Sequence, residues 1–73
     1  MSLQMIESER EWHGQQVHVI EMFDLDGNTN FNALREWCEE HFPRRFDAQD
    51  GYYSAIYMFK DQNDALMFKM RWF

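Results

Sequence analysis

The sequence predicts an α+β domain of the ferredoxin-like kind, or a truncated split β-α-β sandwich, with the order β-β-α-β-β-α and two helices on one face of an antiparallel sheet. Two segments rich in β-branched and aromatic residues, an apolar helical pattern after each, and turn residues between them lead to this prediction. The 73 residues contain no repeat, no low-complexity segment and no linker rich in proline or glycine. A single small domain over residues 1–73 is therefore expected.

The first two strands are predicted from very different patterns. Residues 16–23 are apolar on both alternate sets of positions and form the best candidate for a central strand, which residues 24–28 end with turn-forming side chains. Residues 5–12 carry three glutamates on one face and are expected to be an edge strand. This strand would turn at His13 and Gly14 into the central strand, filling the place of the last strand of the full ferredoxin-like fold.

The first helix is expected after Thr29 or Asn30, either of which can cap it, and Pro43 ends it. Its apolar positions recur at steps of three and four residues. They are Phe31, Leu34, Cys38 and Phe42. The helix is therefore expected to pack one side against the sheet.

The second half of the chain repeats the pattern. Residues 44–48 are expected to be a short edge strand, residues 49–51 a turn, and residues 52–59 a second strong strand that is again apolar on both faces. The last helix is expected to begin near Asp61 and to reach the C-terminus. Its apolar residues surround most of its axis, which is more than one sheet can cover, so a partner is expected to bury the rest. The predicted interaction residues are Met67, Phe68, Met70, Trp72 and Phe73.

The charge of the chain argues against a nucleic-acid partner. With 13 acidic and 7 basic residues the formal net charge is −6, and an acidic surface repels phosphates. Tyr53, Tyr57 and Phe59 resemble the stacking aromatics of sheet-based RNA binders. The same pattern is typical of residues that pack against helices or a second subunit, which is the interpretation we favour.

The chain is expected to be soluble and cytoplasmic, with no membrane partner. No apolar run reaches the roughly 18 residues that a membrane-spanning helix needs. The N-terminal residues show no apolar or basic targeting pattern. A single cysteine, Cys38, cannot close an internal disulfide, which favours a reducing compartment.

Asp24, Asp26 and Thr29 directly follow the apolar central strand. This string resembles the first motif of the haloacid-dehalogenase superfamily, Asp-x-Asp-Gly-Thr, with Asn28 in the place of the threonine. The resemblance implies a nucleophilic Asp24, an acid-base Asp26 and bound Mg²⁺. That family also needs a doubly wound domain for its lysine and further carboxylates, which 73 residues do not supply. We expect a strand-to-helix turn here and no enzyme activity.

The same turn also matches part of a calcium-binding loop. Asp24, Asp26 and Asn28 fall at the first, third and fifth positions of that pattern. Thr29 and Arg35 stand where the loop needs a glycine and a bidentate glutamate. We therefore expect no calcium site.

Cys38 and His41 lie three residues apart on the predicted first helix, and His13 or His18 would be a third metal ligand. A structural zinc site needs four ligands. Cys38 lies on the apolar stripe, where a buried thiol behaves as a small hydrophobic side chain. The pattern favours a core cysteine, so we expect no metal, no cofactor and no thiol nucleophile.

The last part of the chain combines an acidic helix start, Asp64 and Ala65, with a terminal Phe-Lys-x-Arg-Trp. It resembles the ending of small uncharacterised proteins encoded by tailed bacteriophages. The resemblance covers roughly the last third of the chain and implies a phage origin and the host cytoplasm, but no known activity or site.

The function predicted from these observations is a non-catalytic protein-interaction module that self-associates, as a homodimer, through its apolar C-terminal helix or a sheet edge. The alternative is a phage-encoded effector that binds a host protein. One form of this alternative is an effector whose acidic surface mimics nucleic acid.

Overall fold

The computed structural model describes residues 3–72, which form four strands and two helices. These are β1 (Leu3–Trp12), β2 (Gln15–Asp24), α1 (Phe31–His41), β3 (Phe46–Asp50), β4 (Ser54–Phe59) and α2 (Gln62–Trp72). The sheet has the order β1-β2-β4-β3, and each neighbouring pair is antiparallel. The predicted α+β class is confirmed, and the order of elements is compatible with a ferredoxin-like fold.

The N-terminal residues form a long edge strand. β1 pairs with β2 over ten residue pairs, from Leu3 opposite Asp24 to Trp12 opposite Gln15. The hairpin turns at His13 and Gly14, whose φ angles of 52° and 77° are both positive. A two-residue hairpin of this kind follows the twist of the strands, and glycine adopts such angles without strain. The predicted turn is confirmed, and β1 begins earlier than residue 5.

Each helix begins at a polar cap. The Asn30 side-chain oxygen accepts a hydrogen bond from the Ala33 N–H at 3.2 Å, so Asn30 rather than Thr29 caps α1. In α2 the Asp61 carboxylate accepts from the Asn63 N–H at 2.8 Å. Among residues 3–72 neither helix is long and apolar enough to cross a membrane.

The strands β3 and β4 both begin two residues later than predicted. Arg44 adopts a φ of 65° and the Arg45 N–H donates to the Phe42 carbonyl oxygen at 3.0 Å, so the chain is still turning at residues 44–45. Tyr52 and Tyr53 lie in the following turn, because the Gly51 N–H donates to the Ser54 carbonyl oxygen at 2.8 Å. Aromatic residues favour strands, but these two are in the connection and are exposed.

Both helices pack on one face of the sheet, as predicted. Ile20 pairs with Tyr57 and Met22 pairs with Ala55, so these four side chains share a face, and all four belong to the buried core. The helices contribute Phe31, Leu34, Cys38, Ala65 and Phe68 to the same core. The core is therefore a single layer between the helices and the sheet.

Truncation of Phe68 tests this core. Phe68→Ala should lower the free energy of unfolding by roughly 3–5 kcal/mol, because it leaves a cavity where a fully buried ring stood. Met70→Ala should change it by less than about 0.5 kcal/mol, since Met70 is 74% exposed. Urea unfolding followed by circular dichroism measures both values. Equal, small effects would contradict the position of Phe68.

Candidate interaction surfaces

The predicted interaction residues of α2 divide into two groups. Met67 and Met70 are exposed, together with Leu66, which the sequence analysis did not single out. Residues at these spacings lie on one side of a helix, and we call Leu66, Met67 and Met70 the α2 stripe. Phe73 lies outside the described residues. A role of Met67 and Met70 in binding stays a prediction.

Phe68 and Trp72 face the inside of the molecule. The Phe68 ring lies 4.9 Å from the Tyr57 ring and 5.3 Å from the Phe59 ring, and it has no exposed surface. Trp72 is half-buried and meets the Trp37 ring edge-on at 6.2 Å. Because the chain's own sheet and first helix cover Phe68, it is a core residue and is not available as a surface contact.

The sheet face opposite the helices carries a group of apolar side chains among polar ones. The pairing register places the alternate residues of β1, β2 and β4 that are not in the core on this face. Its apolar members, which define the open face, are Ile6, Trp12, Val17, Val19, Phe23, Ile56 and Met58. Among the described residues no helix lies on it, since the helix residues of the core all pack on the other side. Ile6 is 55% exposed, and Phe23, Ile56 and Met58 are half-buried.

Two charged residues of the open face, Arg10 and Glu21, form an ion pair. Glu21 lies between Ile6 and Ile56 in one row across three strands, and its carboxylate lies 3.6 Å from the Arg10 guanidinium. Arg10 lies opposite Val17. Val19 is two positions and Glu21 four positions beyond Val17 along β2, so the ion pair crosses the level of Val19. Val19 and Val17 are both fully buried, although no described helix covers this face.

The helix side of β1 carries three glutamates. Glu7, Glu9 and Glu11 pair opposite Ile20, His18 and Gln16, which confirms that they share one face. The Lys69 ammonium of α2 lies 2.7 Å from the Glu7 carboxylate, and His18 Nδ1 lies 3.5 Å from that of Glu9. A groove of about 410 Å³ between β1 and α2 contains these two pairs. Glu7 therefore ties α2 to the edge strand, whereas Glu9 contacts the neighbouring strand β2.

Asp24 organises the turn between β2 and α1. Its carboxylate accepts hydrogen bonds from the Thr29 hydroxyl and from the Asp26 N–H at 3.1 Å, and its carbonyl oxygen accepts from the Gly27 N–H at 3.0 Å. The Thr29 hydrogen bond is the main cause that lowers the pKa of Asp24, while burial opposes it. The predicted strand-to-helix turn is confirmed.

Cys38 and His41 do not form a site. Cys38 is fully buried, whereas His41 is exposed, stacks on the Trp37 ring at 4.3 Å and has its Nδ1 2.9 Å from the Trp37 carbonyl oxygen. Burial, with a smaller contribution from the charge of Glu39, raises the pKa of the Cys38 thiol to about 12. Within residues 3–72 no three His, Cys, Asp or Glu side chains are grouped to hold a metal ion.

The aromatic residues of β4 lie under the helices. Tyr57 and Phe59 are fully buried in the core, and the Tyr57 hydroxyl donates to the Phe31 carbonyl oxygen at 3.3 Å. Burial is the main cause that raises the Tyr57 pKa. These two rings therefore pack against the helices and are not on a face that bases could reach. Tyr53 is exposed at the end of the sheet, edge-on to Tyr52 at 4.6 Å.

Comparisons of the chain with protein-family models, curated proteins and solved structures found no match. The surfaces described above are interpreted from their own geometry and chemistry. The resemblance of the last third of the chain to small phage proteins stays a prediction about its origin.

The Cys38 thiol should react with dithionitrobenzoate only after the protein unfolds. It is fully buried, and its raised pKa leaves almost no thiolate at neutral pH. The absorbance of the thionitrobenzoate released from the reagent should indicate one reactive cysteine per chain in guanidinium chloride and almost none in native buffer. Rapid labelling of the folded protein would contradict the buried position.

Thr29→Val should make the protein more sensitive to acid. A carboxyl group whose pKa is lowered on folding stabilises the fold above its unfolded value, near 3.8, and this stabilisation is lost as the pH falls through the folded pKa. Removing the Thr29 hydroxyl should raise the Asp24 pKa and move acid unfolding to higher pH. Carbon NMR titration and circular dichroism measure the two effects, with Thr29→Ser as the control that keeps the hydroxyl. Identical titrations of the Thr29→Val variant and the wild-type protein are the contradictory result.

Proposed function

We propose that this protein is a non-catalytic interaction module that self-associates as a homodimer. The observation that supports the proposal is apolar surface left outside a core that is already complete. The fully buried core already contains Tyr57, Phe59 and Phe68. The α2 stripe is nevertheless exposed, and on the open face Ile6 is exposed while Phe23, Ile56 and Met58 are half-buried. Apolar surface with polar residues around it is typical of protein contacts.

The distribution of charge favours association through some surfaces and opposes others. Of the 13 acidic and 7 basic residues, residues 60–73 hold two acids and three bases, so residues 1–59 hold eleven acids and four bases. Two copies that meet through the acidic remainder would repel each other. The α2 stripe lies in residues 60–73 and avoids that repulsion. The open face lies in the acidic part of the chain, but its Glu21 carboxylate is paired with the Arg10 guanidinium at 3.6 Å.

The sheet edges are poor surfaces for self-association. If β1 paired with its own copy antiparallel about Glu9, Glu7 would lie opposite Glu11 and Glu9 opposite itself. Like charges directly opposite each other destabilise a strand pair. The other edge, β3, has only five residues. This disfavours the sheet edge that the sequence analysis offered as one route to a dimer.

The α2 stripe alone offers a modest gain. Fully burying a Leu or Met side chain stabilises by roughly 1.5–3 kcal/mol, and the three members are already partly covered. Six such side chains in a dimer would contribute on the order of 5–9 kcal/mol, which is similar to the cost of association of about 4–15 kcal/mol. The stripe therefore needs support from further surface.

The proposal includes no catalysis because the two side chains that could act as nucleophiles, Asp24 and Cys38, are engaged or buried. The Asp24 carboxylate is occupied by the turn that it organises. The Cys38 thiol is buried and its pKa is raised.

Light scattering coupled to size exclusion should give twice the 9.0 kDa mass of one chain at micromolar concentration. The mass should fall towards that of one chain on dilution, because the equilibrium is bimolecular. A mass of 9.0 kDa at every concentration would contradict self-association. It would favour the alternative, in which the same apolar surface binds a host protein.

A further inference from the structure

We propose that a second copy of this chain packs on the open face, sheet against sheet. The inference rests on the self-association proposed above and names the surface that carries it. Sheets that pack face to face lie about 10 Å apart with their side chains interdigitated. In the resulting dimer the helices of both copies would lie on the outside.

The first argument comes from the two central strands. β2 and β4 are apolar on both faces: Ile20 and Tyr57 face the helices, whereas Phe23 and Ile56 face away from them. A strand with one wet face normally alternates between apolar and polar residues, and a strand that is apolar on both faces is normally covered on both. Helices cover one face of this sheet, so the composition of the strands indicates that a second apolar layer covers the open face.

The area of the sheet is sufficient for a weak, reversible interface. β1 and β2 have ten residues each, and β3 and β4 have five and six. At about 3.3 Å per residue and about 4.8 Å between strands, the sheet presents roughly 500 Å². Two copies would bury roughly 1,000 Å² in total, which is the size of a weak, reversible interface rather than of a permanent one.

The charges of the open face suit an identical partner. The pairing register places Arg10, Glu21 and Asp47 on this side of the sheet, and the Lys60 ammonium lies over the Trp12 ring of the same face. These two bases and two acids balance, although the whole chain has a net charge of −6. Arg10 is already paired with Glu21 at 3.6 Å, and the Lys60 ammonium lies 5.7 Å from the centre of the Trp12 ring. A copy of the same face therefore meets no excess of like charge.

Lysine substitutions at matched positions separate the open face from the α2 stripe. Ile56→Lys and Ile6→Lys place a charge on the open face, and Met70→Lys places the same charge on the α2 stripe. Each variant lowers the net negative charge equally, so general repulsion changes equally in all three. Sedimentation equilibrium of the full chain measures the dimer dissociation constant of each.

The open-face variants should raise the dissociation constant about tenfold or more, because they bury an unpaired charge. Met70→Lys should change it by less than about threefold. Ile56→Thr keeps a β-branched residue in the strand and should also weaken the dimer, which provides a readout if Ile56→Lys fails to fold. Circular dichroism identifies the folded variants.

The outcomes distinguish this inference from the proposed function. A wild-type dimer that Met70→Lys dissociates, while folded Ile6→Lys and Ile56→Thr leave it intact, would overturn the open-face interface and leave self-association standing. A wild-type protein that is monomeric at every concentration would overturn both. As an independent measurement, amide NMR shifts should change on dilution in the central strands and stay constant along the exposed side of α2.

Discussion

The fold depends on the packing around Phe59, where every layer of the molecule meets. Its ring lies 5.7 Å from Phe42 at the end of α1, 6.4 Å from Phe46 of β3 and 5.3 Å from Phe68 of α2. Aromatic contacts at these distances stabilise beyond the burial of their area. Because Phe59 is on a central strand, its ring contacts both helices and the Phe46 side chain of the neighbouring edge strand on one side of the sheet. The opposite side is left with the apolar surface of the same strands.

Much of the fold could be predicted from local patterns. Turn and cap residues such as Gly14 and Asn30 act within a few positions of the chain, so their effect is visible in the sequence. The intrinsic propensity of Tyr52 and Tyr53 favours a strand. They lie in a turn instead, and the backbone hydrogen bonds that place them there involve Asp24 and Gly51. Such pairing depends on the whole sheet and is not readable from the segment itself.

The interaction surface was harder to predict than the fold. α2 is apolar around most of its axis, so its sequence does not say that Phe68 turns inward and Met70 outward. The open face did leave a signal, because both central strands are apolar at alternate positions on both faces. This apolar pattern indicates an uncovered face only once it is known that both helices lie on the same side of the sheet. The side on which a helix lies is determined by the connections between elements and not by the sequence of a strand.

The glutamates of β1 have a consequence for the behaviour of the protein at high concentration. A ten-residue edge strand offers unpaired backbone groups that another strand can extend, and repeated extension produces fibres. Glu7, Glu9 and Glu11 lie on one face of that edge, so each added copy would stack carboxylates on carboxylates. Growth along the sheet is therefore discouraged at its first step, and the protein can keep an apolar surface without polymerising through its edge.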